Sequence, residues 1–331
     1  MKILVTGGTG FIGSRLALDA RARGHEIMVA GQLNSDAERA RCKELTQAGI
    51  GIEQGPLQDA DYARRICAGR QVVIHLAAAQ HEANVPDEYF FDVNVNGTRT
   101  LLDASKQAGI ERFVYGSTIG VYGESGGQIL DETTAPRPLN VYGRSKLAAE
   151  EVVKSYGSQL PTSIVRISET YGPGDFRLLK LFRALDRGRF IIVGSGQNRR
   201  QAIHVRDLVQ GLLLAAIHPA ALGETFVLAG QETMTTRQMV EHVARSLGRT
   251  APNWHVPMWP FLAAAIVMEK TLSPLGIQPP LHRRRLDFFR KSFVFSTAKA
   301  QRLLGFAATV PFAAGTVETA NWYREQGYLP R

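Results

Sequence analysis

The stretch Thr6-Gly7-Gly8-Thr9-Gly10-Phe11-Ile12-Gly13 stands between a β-branched run, Lys2–Thr6, and a segment with helical periodicity, Phe11–Arg23. Within it, Gly8-Thr9-Gly10-Phe11-Ile12-Gly13 fits the spacing G-x-G-x-x-G. Glycines at those intervals permit a tight strand-to-helix turn, let backbone N–H groups approach a pyrophosphate, and let the helix pack close to the sheet. The partial positive charge of the helix N-terminus then faces the phosphates. A plain tight turn would use the same glycines, but the position at the opening of a strand–helix–strand unit selects the dinucleotide reading.

Outward from that turn the alternation continues. Strand-like runs fall at Lys2–Thr6, Glu26–Ala30, Ile50–Gln54, Val72–Leu76, Arg112–Gly116 and Thr162–Ile167. Helical segments fall at Phe11–Arg23, Asp36–Ala48, Asp59–Ala68, Asp87–Ala108 and Val141–Tyr156. Ser35 ahead of Asp36 and Glu38, and Asp59, mark helix starts. Repetition of strand and helix at this spacing predicts right-handed crossovers and a doubly wound parallel α/β sheet of Rossmann type.

After Tyr171-Gly172-Pro173-Gly174 the pattern loosens. Helices are expected at Phe176–Arg187, Asp207–Ile217, Thr236–Leu247, Phe261–Leu272, Thr297–Leu304 and Phe312–Gln326, with extended pieces at Phe190–Val193, Gln201–Val205 and Glu224–Leu228. The expected organisation is a dinucleotide-binding domain over residues 1–170 with returning segments about 201–230, and a smaller mixed substrate lobe over 171–200 and 231–331.

Composition is that of an ordinary soluble globular protein. Of 331 residues, 44% are hydrophobic and 21% charged, which excludes disorder, collagen and coiled coil. The net charge of +9 favours anionic small molecules or surfaces. No nucleic-acid motif accompanies it, so no nucleic-acid partner is expected. Two cysteines, Cys42 and Cys67, are too few for a disulfide framework or a metal cluster; no metal and a reducing, cytoplasmic setting are expected. The N-terminus reads as free of a targeting signal. The apolar stretch Phe261–Met268 is far shorter than the roughly 20 residues a spanning helix needs.

Three further constellations carry chemistry. A carboxylate about 20 residues past the glycines would hold the adenosine ribose. Here the second strand ends in Gly31-Gln32, and Arg39 and Arg41 stand a helix turn or more away, so NAD and NADP both stay open. In Tyr142-Gly143-Arg144-Ser145-Lys146, residues four apart share a helical face, and an ammonium beside a phenol favours the phenolate. Gly116-Ser117-Thr118-Ile119-Gly120 ends the fifth strand, where ligands of open α/β sheets bind, so the hydroxyls of Ser117 and Thr118 are candidates to bond a substrate oxygen.

Together these elements resemble the extended short-chain dehydrogenase/reductase family in its NAD-dependent epimerase/dehydratase branch. Thr6–Gly13 is similar to the family's TGxxGxxG, Val73-Ile74-His75-Leu76-Ala77-Ala78 to its fourth-strand segment, and Asn94-Val95-Asn96-Gly97-Thr98 to its NVxGT motif. Tyr142 and Lys146 match its YxxxK pair, and Thr118 stands where its catalytic Ser or Thr stands. Arg200-Gln201-Ala202-Ile203-His204-Val205-Arg206-Asp207 looks like its RxxxHVxD segment. The resemblance implies catalysis by Thr118, Tyr142 and Lys146. It also implies a cofactor, NAD favoured over NADP, held by Gly7, Gly10, Phe11, Ile12, Gly13, Gln32, Leu57, Leu76, Ala77, Ala78, Asn96, Tyr142 and Lys146. Substrate contacts are expected from His81, Ser117, Thr118, Glu169 and Arg200. A homodimer through Asp87–Ala108 and Val141–Tyr156 is implied by the same resemblance.

Departures narrow the reaction. Ile119 and Gly120 fill the places of the Asp-Glu pair that dehydratases of this kind carry, which disfavours 4,6-dehydration. Pro56 in Gly55-Pro56-Leu57-Gln58-Asp59 replaces an acid that contacts adenine in the family, and Glu169 replaces an asparagine that meets a substrate diphosphate. His81 reads as a second acid/base or a plain polar loop residue, and His75 and His204 as packing. The run His282-Arg283-Arg284-Arg285 reads as a solvated helix face or a grip on phosphate or acidic lipid. The leading expectation is a nucleotide-sugar epimerase whose small-molecule substrate carries phosphate. The alternatives are a hydroxysteroid- or dihydroflavonol-like dehydrogenase/reductase with net redox turnover, and a dinucleotide-binding sensor without catalysis.

Overall fold

The computed structural model describes residues 1–80, 85–252, 254–272 and 283–330, of which 283–285 by backbone only. The chain opens with β1 (Lys2–Thr6), α1 (Phe11–Ala22), β2 (Glu26–Ala30), α2 (Asp36–Gln47), β3 (Gly51–Glu53), α3 (Ala60–Cys67) and β4 (Val72–His75). Next come α4 (Asp87–Phe91), a π-helical turn (Asp92–Asn96), α5 (Gly97–Gln107), β5 (Arg112–Thr118), α6 (Val141–Ser155) and β6 (Thr162–Ile167). Short pieces follow: β7 (Thr170–Tyr171), α7 (Leu179–Asp186), β8 (Ile192–Val193), β9 (Arg199–Arg200), β10 (Ile203–His204), α8 (Val205–Ile217) and β11 (Thr225–Leu228). The chain closes with β12 (Met234–Thr235), α9 (Thr236–Ser246), β13 (His255–Val256), α10 (Met258–Leu272), α11 (Arg283–Arg290), α12 (Ala298–Leu304) and α13 (Phe312–Glu325).

Seven strands form one sheet in the order β11-β6-β5-β4-β1-β2-β3, and every pairing in it is parallel. The chain runs outward from β1 through β2 and β3, then crosses to β4 on the other flank of β1. That reversal opens a crevice above the carboxyl ends of β1 and β4, where ligands of such sheets bind. Apolar side chains of the strands split between two cores. Val5, Ile74 and Val114 pack with Leu16 of α1 and Leu208 and Leu212 of α8, whereas Leu4, Val73 and Tyr115 pack with Leu101 of α5 and Ala149 and Val153 of α6. Strand alternation thus assigns each side chain of β5 to one face or the other. A third core, with Phe182, Val240, Val243, Ala320 and Tyr323, holds α7, α9 and α13 together beyond the sheet.

The expected long helix 87–108 is broken into α4, the π-helical turn and α5. The widened turn brings Asn94 inside. Its amide accepts from Ala79 N at 2.8 Å and donates to Ala79 O at 3.0 Å and to Ser145 Oγ at 2.9 Å. Such turns inside helices commonly accompany functional sites. The helix expected from Phe176 begins only at Leu179, because Gly172 and Gly174 take positive φ values (139° and 95°) and Asp175 accepts from Arg177 N.

Candidate active site

The glycine turn is built for close approach. A Cβ on Gly7, whose φ is +65°, would lie 2.6 Å from Ala77 N, and one on Gly13 would lie 2.3 Å from Gly7 O. Hence α1 starts tight against β1 and the end of β4. Its Ncap is Gly10, with no side-chain cap and no acid in the first turn. By contrast, α2 begins with a Ser35–Glu38 capping box and α3 with Asp59 capping Asp61 and Tyr62. The first-turn N–H groups of Phe11, Ile12 and Gly13 precede any carbonyl of the helix that could accept them. Such a helix start fits an anion such as a pyrophosphate.

Beyond the carboxyl end of β2, Thr9 Oγ1 donates to Gln32 O at 2.8 Å, and a Cβ on Gly31 would meet Thr9 Oγ1 at 2.4 Å. Glycine at 31 is therefore a packing requirement of Thr9. Gln32 is exposed at the mouth and accepts from Asn34 Nδ2. Arg39 donates to Leu33 O, so its guanidinium stays on the rim. Arg41 turns inward and donates to Gly174 O at 3.0 Å and Thr9 O at 3.4 Å, with burial lowering its pKa. It braces the glycine turn against the 172–175 turn and is spent there.

Beyond the carboxyl end of β5, α6 brings Tyr142 and Lys146 to one face. Asn140 caps the helix by accepting from Gly143 N at 2.8 Å. A Cβ on Gly143 would lie 2.7 Å from Gly120 O, so the start of α6 docks directly on the turn after Thr118. Thr118 Oγ1 accepts from Gly120 N at 3.0 Å, which fixes its rotamer and leaves its O–H to point elsewhere. Lys146 is buried with its ammonium 4.1 Å from the Tyr115 ring centroid. Burial pulls its pKa down to about 7, against an opposing pull from Glu150. Tyr142 is half-buried, and a phenolate there would oppose ionisation of Tyr115 and tighten the proton on Arg177.

Sequence reasoning missed Arg177. It donates to Asp175 and to Thr170 O at 2.6 Å, and its guanidinium carbon lies 5.8 Å from the Phe11 ring centroid. The second lobe thereby sets a cation over the glycine turn and beside Tyr142. No local pattern announces it, since its partners lie in the turn itself and in β7. Asn94 was legible as part of its motif, but its role as clamp between Ala79 and α6 was not.

Several expected residues lie elsewhere. Ser117 faces α6, away from the cleft, and donates to buried Glu150, which also binds Arg166 through both carboxylate oxygens. Arg166 in turn donates to Tyr122 OH at 2.7 Å. Asn96 is exposed, and its amide donates to Asp92. Leu57 packs into the core beside α3 and α5. By contrast, Leu76, Ala77 and Ala78 are half-buried along the lip beyond β4, where a Cβ on Gly7 would meet the backbone of Leu76 and Ala77. His75 is buried between Thr6 (Nδ1, 2.6 Å) and Thr98 (Nε2, 2.9 Å), and burial pulls its pKa down to about 3. His204 packs edge-on against Tyr171 and caps α8. His81 and His282, and the side chains of Arg283, Arg284 and Arg285, lie outside the described residues.

The two substrate-end candidates meet each other. Glu169 lies two residues beyond Ile167, the β6 partner of Thr118. Arg200 donates to it through Nε at 2.8 Å and also through Nη2. Its Nη1 donates to Phe288 O at 2.9 Å, and the Phe288 ring centroid lies 4.6 Å from the guanidinium carbon. Burial lowers its pKa to about 10.

A model of the NAD dependent epimerase/dehydratase family matches residues 3–229. The chain is 30% identical to the 3 beta-hydroxysteroid dehydrogenase/Delta 5→4-isomerase of Mycobacterium tuberculosis, covering 97% of this chain and 90% of that one. It is 29% identical to the UDP-glucose 4-epimerase of Rhizobium meliloti, covering 98% of each. The structure superimposes on DesIV, a dTDP-glucose 4,6-dehydratase from Streptomyces venezuelae solved with NAD and TYD bound. The TM-score is 0.80 at 26% identity, covering 100% of this chain and 99% of that one.

Proposed function

The chain belongs to the NAD dependent epimerase/dehydratase family, and we propose that it oxidises or reduces a secondary alcohol or ketone that carries no diphosphate. The cofactor, NAD, would be held by the first turn of α1 and the lip at Leu76–Ala78, with Gln32 at the adenosine end and Lys146 at the nicotinamide ribose. When bound it supplies the hydride acceptor or donor. Tyr142 takes or gives the proton of the substrate oxygen. Thr118 donates its O–H to the same oxygen, and the Lys146 ammonium favours the phenolate of Tyr142. Arg177 and Phe11 cover the turn that binds the pyrophosphate. Ile119 and Gly120 offer no acid for water elimination, which separates this reading from the dehydratase likeness.

One observation carries the choice of substrate. Taken singly, Arg200 favours a phosphorylated substrate and Glu169 opposes it. Joined in one ion pair, the guanidinium has spent Nε and Nη2 on a carboxylate and Nη1 on a carbonyl, with an aromatic ring over its face. A substrate anion placed there would meet a satisfied cation and a carboxylate, a repulsive pairing. The full-length likeness to a UDP-glucose 4-epimerase supports a second reading, nucleotide-sugar epimerisation with retained NAD.

The deciding measurement is to denature the purified protein, identify any released dinucleotide by mass, and assay it with NAD and NADH. Hydroxysteroid-type and flavonoid-type alcohols and ketones would be compared with UDP-glucose. Net formation or consumption of NADH with the apolar substrates is the expected result. Retained NAD together with redox-neutral conversion of UDP-glucose would overturn the proposal.

A further inference from the structure

Helix α10 is apolar on both sides. Met258, Phe261, Leu262 and Ala265 turn inward and pack with Val193, Val256, Leu286 and Phe289. On the opposite side Trp259, Ala263 and Val267 are four residues apart and all exposed, Trp259 at 73% and Val267 at 59%. A helix that is hydrophobic all round belongs in an interior. Here the outward stripe is covered by no described residue of the chain.

A second apolar corner immediately precedes α10 along the chain. Strands β8 and β13 pair with Ile192 opposite His255, and just ahead of that pair Ile191 and Trp254 are both exposed. Two of the three tryptophans of the chain are thus exposed at the start of α10 and just ahead of it. Exposed cations flank these apolar residues along the chain: Arg187 and Arg189 come just before Ile191, and Lys270 is exposed on the outward stripe one turn past Val267. Tryptophan at the margin, an apolar stripe lying flat and lysine or arginine around it are the chemistry of a helix seated at the boundary between headgroups and acyl chains. Juxtaposed basic residues add attraction towards an anionic leaflet. No helix among the described residues is long and apolar enough to cross a membrane, so the contact would be peripheral.

We propose that the α10 face, with Trp254, Trp259 and Val267 as apolar anchors and Arg187, Arg189 and Lys270 as a cationic rim, docks the protein on an anionic lipid surface. This inference does not depend on the proposed reaction, and its test does not use turnover. The full chain is sedimented with vesicles of equal parts phosphatidylcholine and phosphatidylglycerol, and with pure phosphatidylcholine. Binding to the anionic vesicles more than about tenfold tighter than to the neutral ones, weakened by salt, is expected. Tryptophan emission is expected to shift to the blue and to be quenched by lipids labelled near the headgroup. The double substitution Trp259→Ser and Val267→Ser, both at exposed positions, should lower the partition coefficient at least about tenfold with an unchanged thermal midpoint. The proposal is overturned if the anionic vesicles bind nothing, or if the double variant binds them as the parent does. It is equally overturned if, without lipid, the parent is an oligomer that the double substitution dissociates; the face would then belong to a second copy of the chain.

Discussion

Replacing Lys146 by methionine should make the protein more stable while it destroys turnover. The lysine is fully buried, and burial lowers its pKa from 10.5 to about 7. At about 1.4 kcal/mol per pKa unit, that shift sets the cost of holding the ammonium inside at roughly 5 kcal/mol below pH 7 and about 4 kcal/mol at pH 7. Contact with the Tyr115 ring offsets about 1–2 kcal/mol. Methionine keeps the length of the chain and removes the charge, so a gain of about 2–3 kcal/mol is expected at pH 7. For a chain of this size that is a rise in Tm of about 5 °C, at roughly 2 °C per kcal/mol. The sign of the pH dependence follows from proton counts. Unfolded lysine holds its proton to about 10.5, and the folded one releases it near 7. Between those values the unfolded state binds more protons, and the stability of the parent rises with pH. The gap between variant and parent should therefore narrow by about 2 kcal/mol from pH 7 to pH 9. Calorimetric scans of both proteins without cofactor at the two pH values test this. A variant less stable than the parent at pH 7, or a gap that does not change with pH, would refute the reasoning.

Four further outcomes are expected. Tyr142→Phe should lower kcat by roughly 10²–10⁴-fold and leave NAD affinity within about threefold, measured by steady-state kinetics and calorimetric titration; unchanged turnover would favour a dinucleotide sensor. Glu169→Gln should release Arg200, so that binding of uridine diphosphate tightens at least about tenfold in a calorimetric titration; an unaltered affinity would show that the pair does not set the anion preference. Glu150→Gln leaves Arg166 buried without its carboxylate and should destabilise by about 3–5 kcal/mol, read from the urea midpoint. His75 is held neutral with a pKa near 3, below its usual 6.5, so the unfolded state binds the extra proton first as pH falls. Its contribution is intact above about pH 6.5 and lost progressively towards pH 3, about 5 kcal/mol in all. A His75→Gln variant whose acid unfolding followed the parent pH by pH would remove that explanation.

The docking of α6 on Gly120 gives the reactive end its rigidity. Gly143 allows backbone contact where a Cβ would lie 2.7 Å from Gly120 O and push the start of α6 off the turn after Thr118. Behind them the Ser117–Glu150–Arg166–Tyr122 network satisfies a charge pair inside the protein and ties β5, α6 and β6 into one block. Groups on such elements hold their geometry better than groups on loops. That block, and the Asn94 clamp on Ala79, are therefore positioning devices for the proposed reaction.

The glycine turn, the strand–helix alternation and the Tyr142–Lys146 spacing determined the Rossmann-type sheet and the residues proposed for its reactive end. These features are local: periods of two and 3.6 residues and turn chemistry are written in neighbours along the chain. The break at Asn94 was hidden because the side chain that the widened turn brings inside bonds to Ala79 and Ser145, 15 and 51 positions away in sequence. Ser117 read as a cleft residue beside Thr118, but strand alternation gives adjacent residues opposite faces, and Glu150 on α6 claimed it. Arg177 acquired a place over Phe11 only when the 172–175 turn folded back on the glycine turn. The meaning of Arg200 and Glu169 depended most on tertiary structure. Thirty-one positions apart, they read singly as opposite signs for the substrate, and only the approach of the β6–β7 link to β9 turns two charges into one satisfied pair. Charge along a chain is a property of the sequence, but whether that charge is free to bind is decided by what lies within hydrogen-bond reach in the fold.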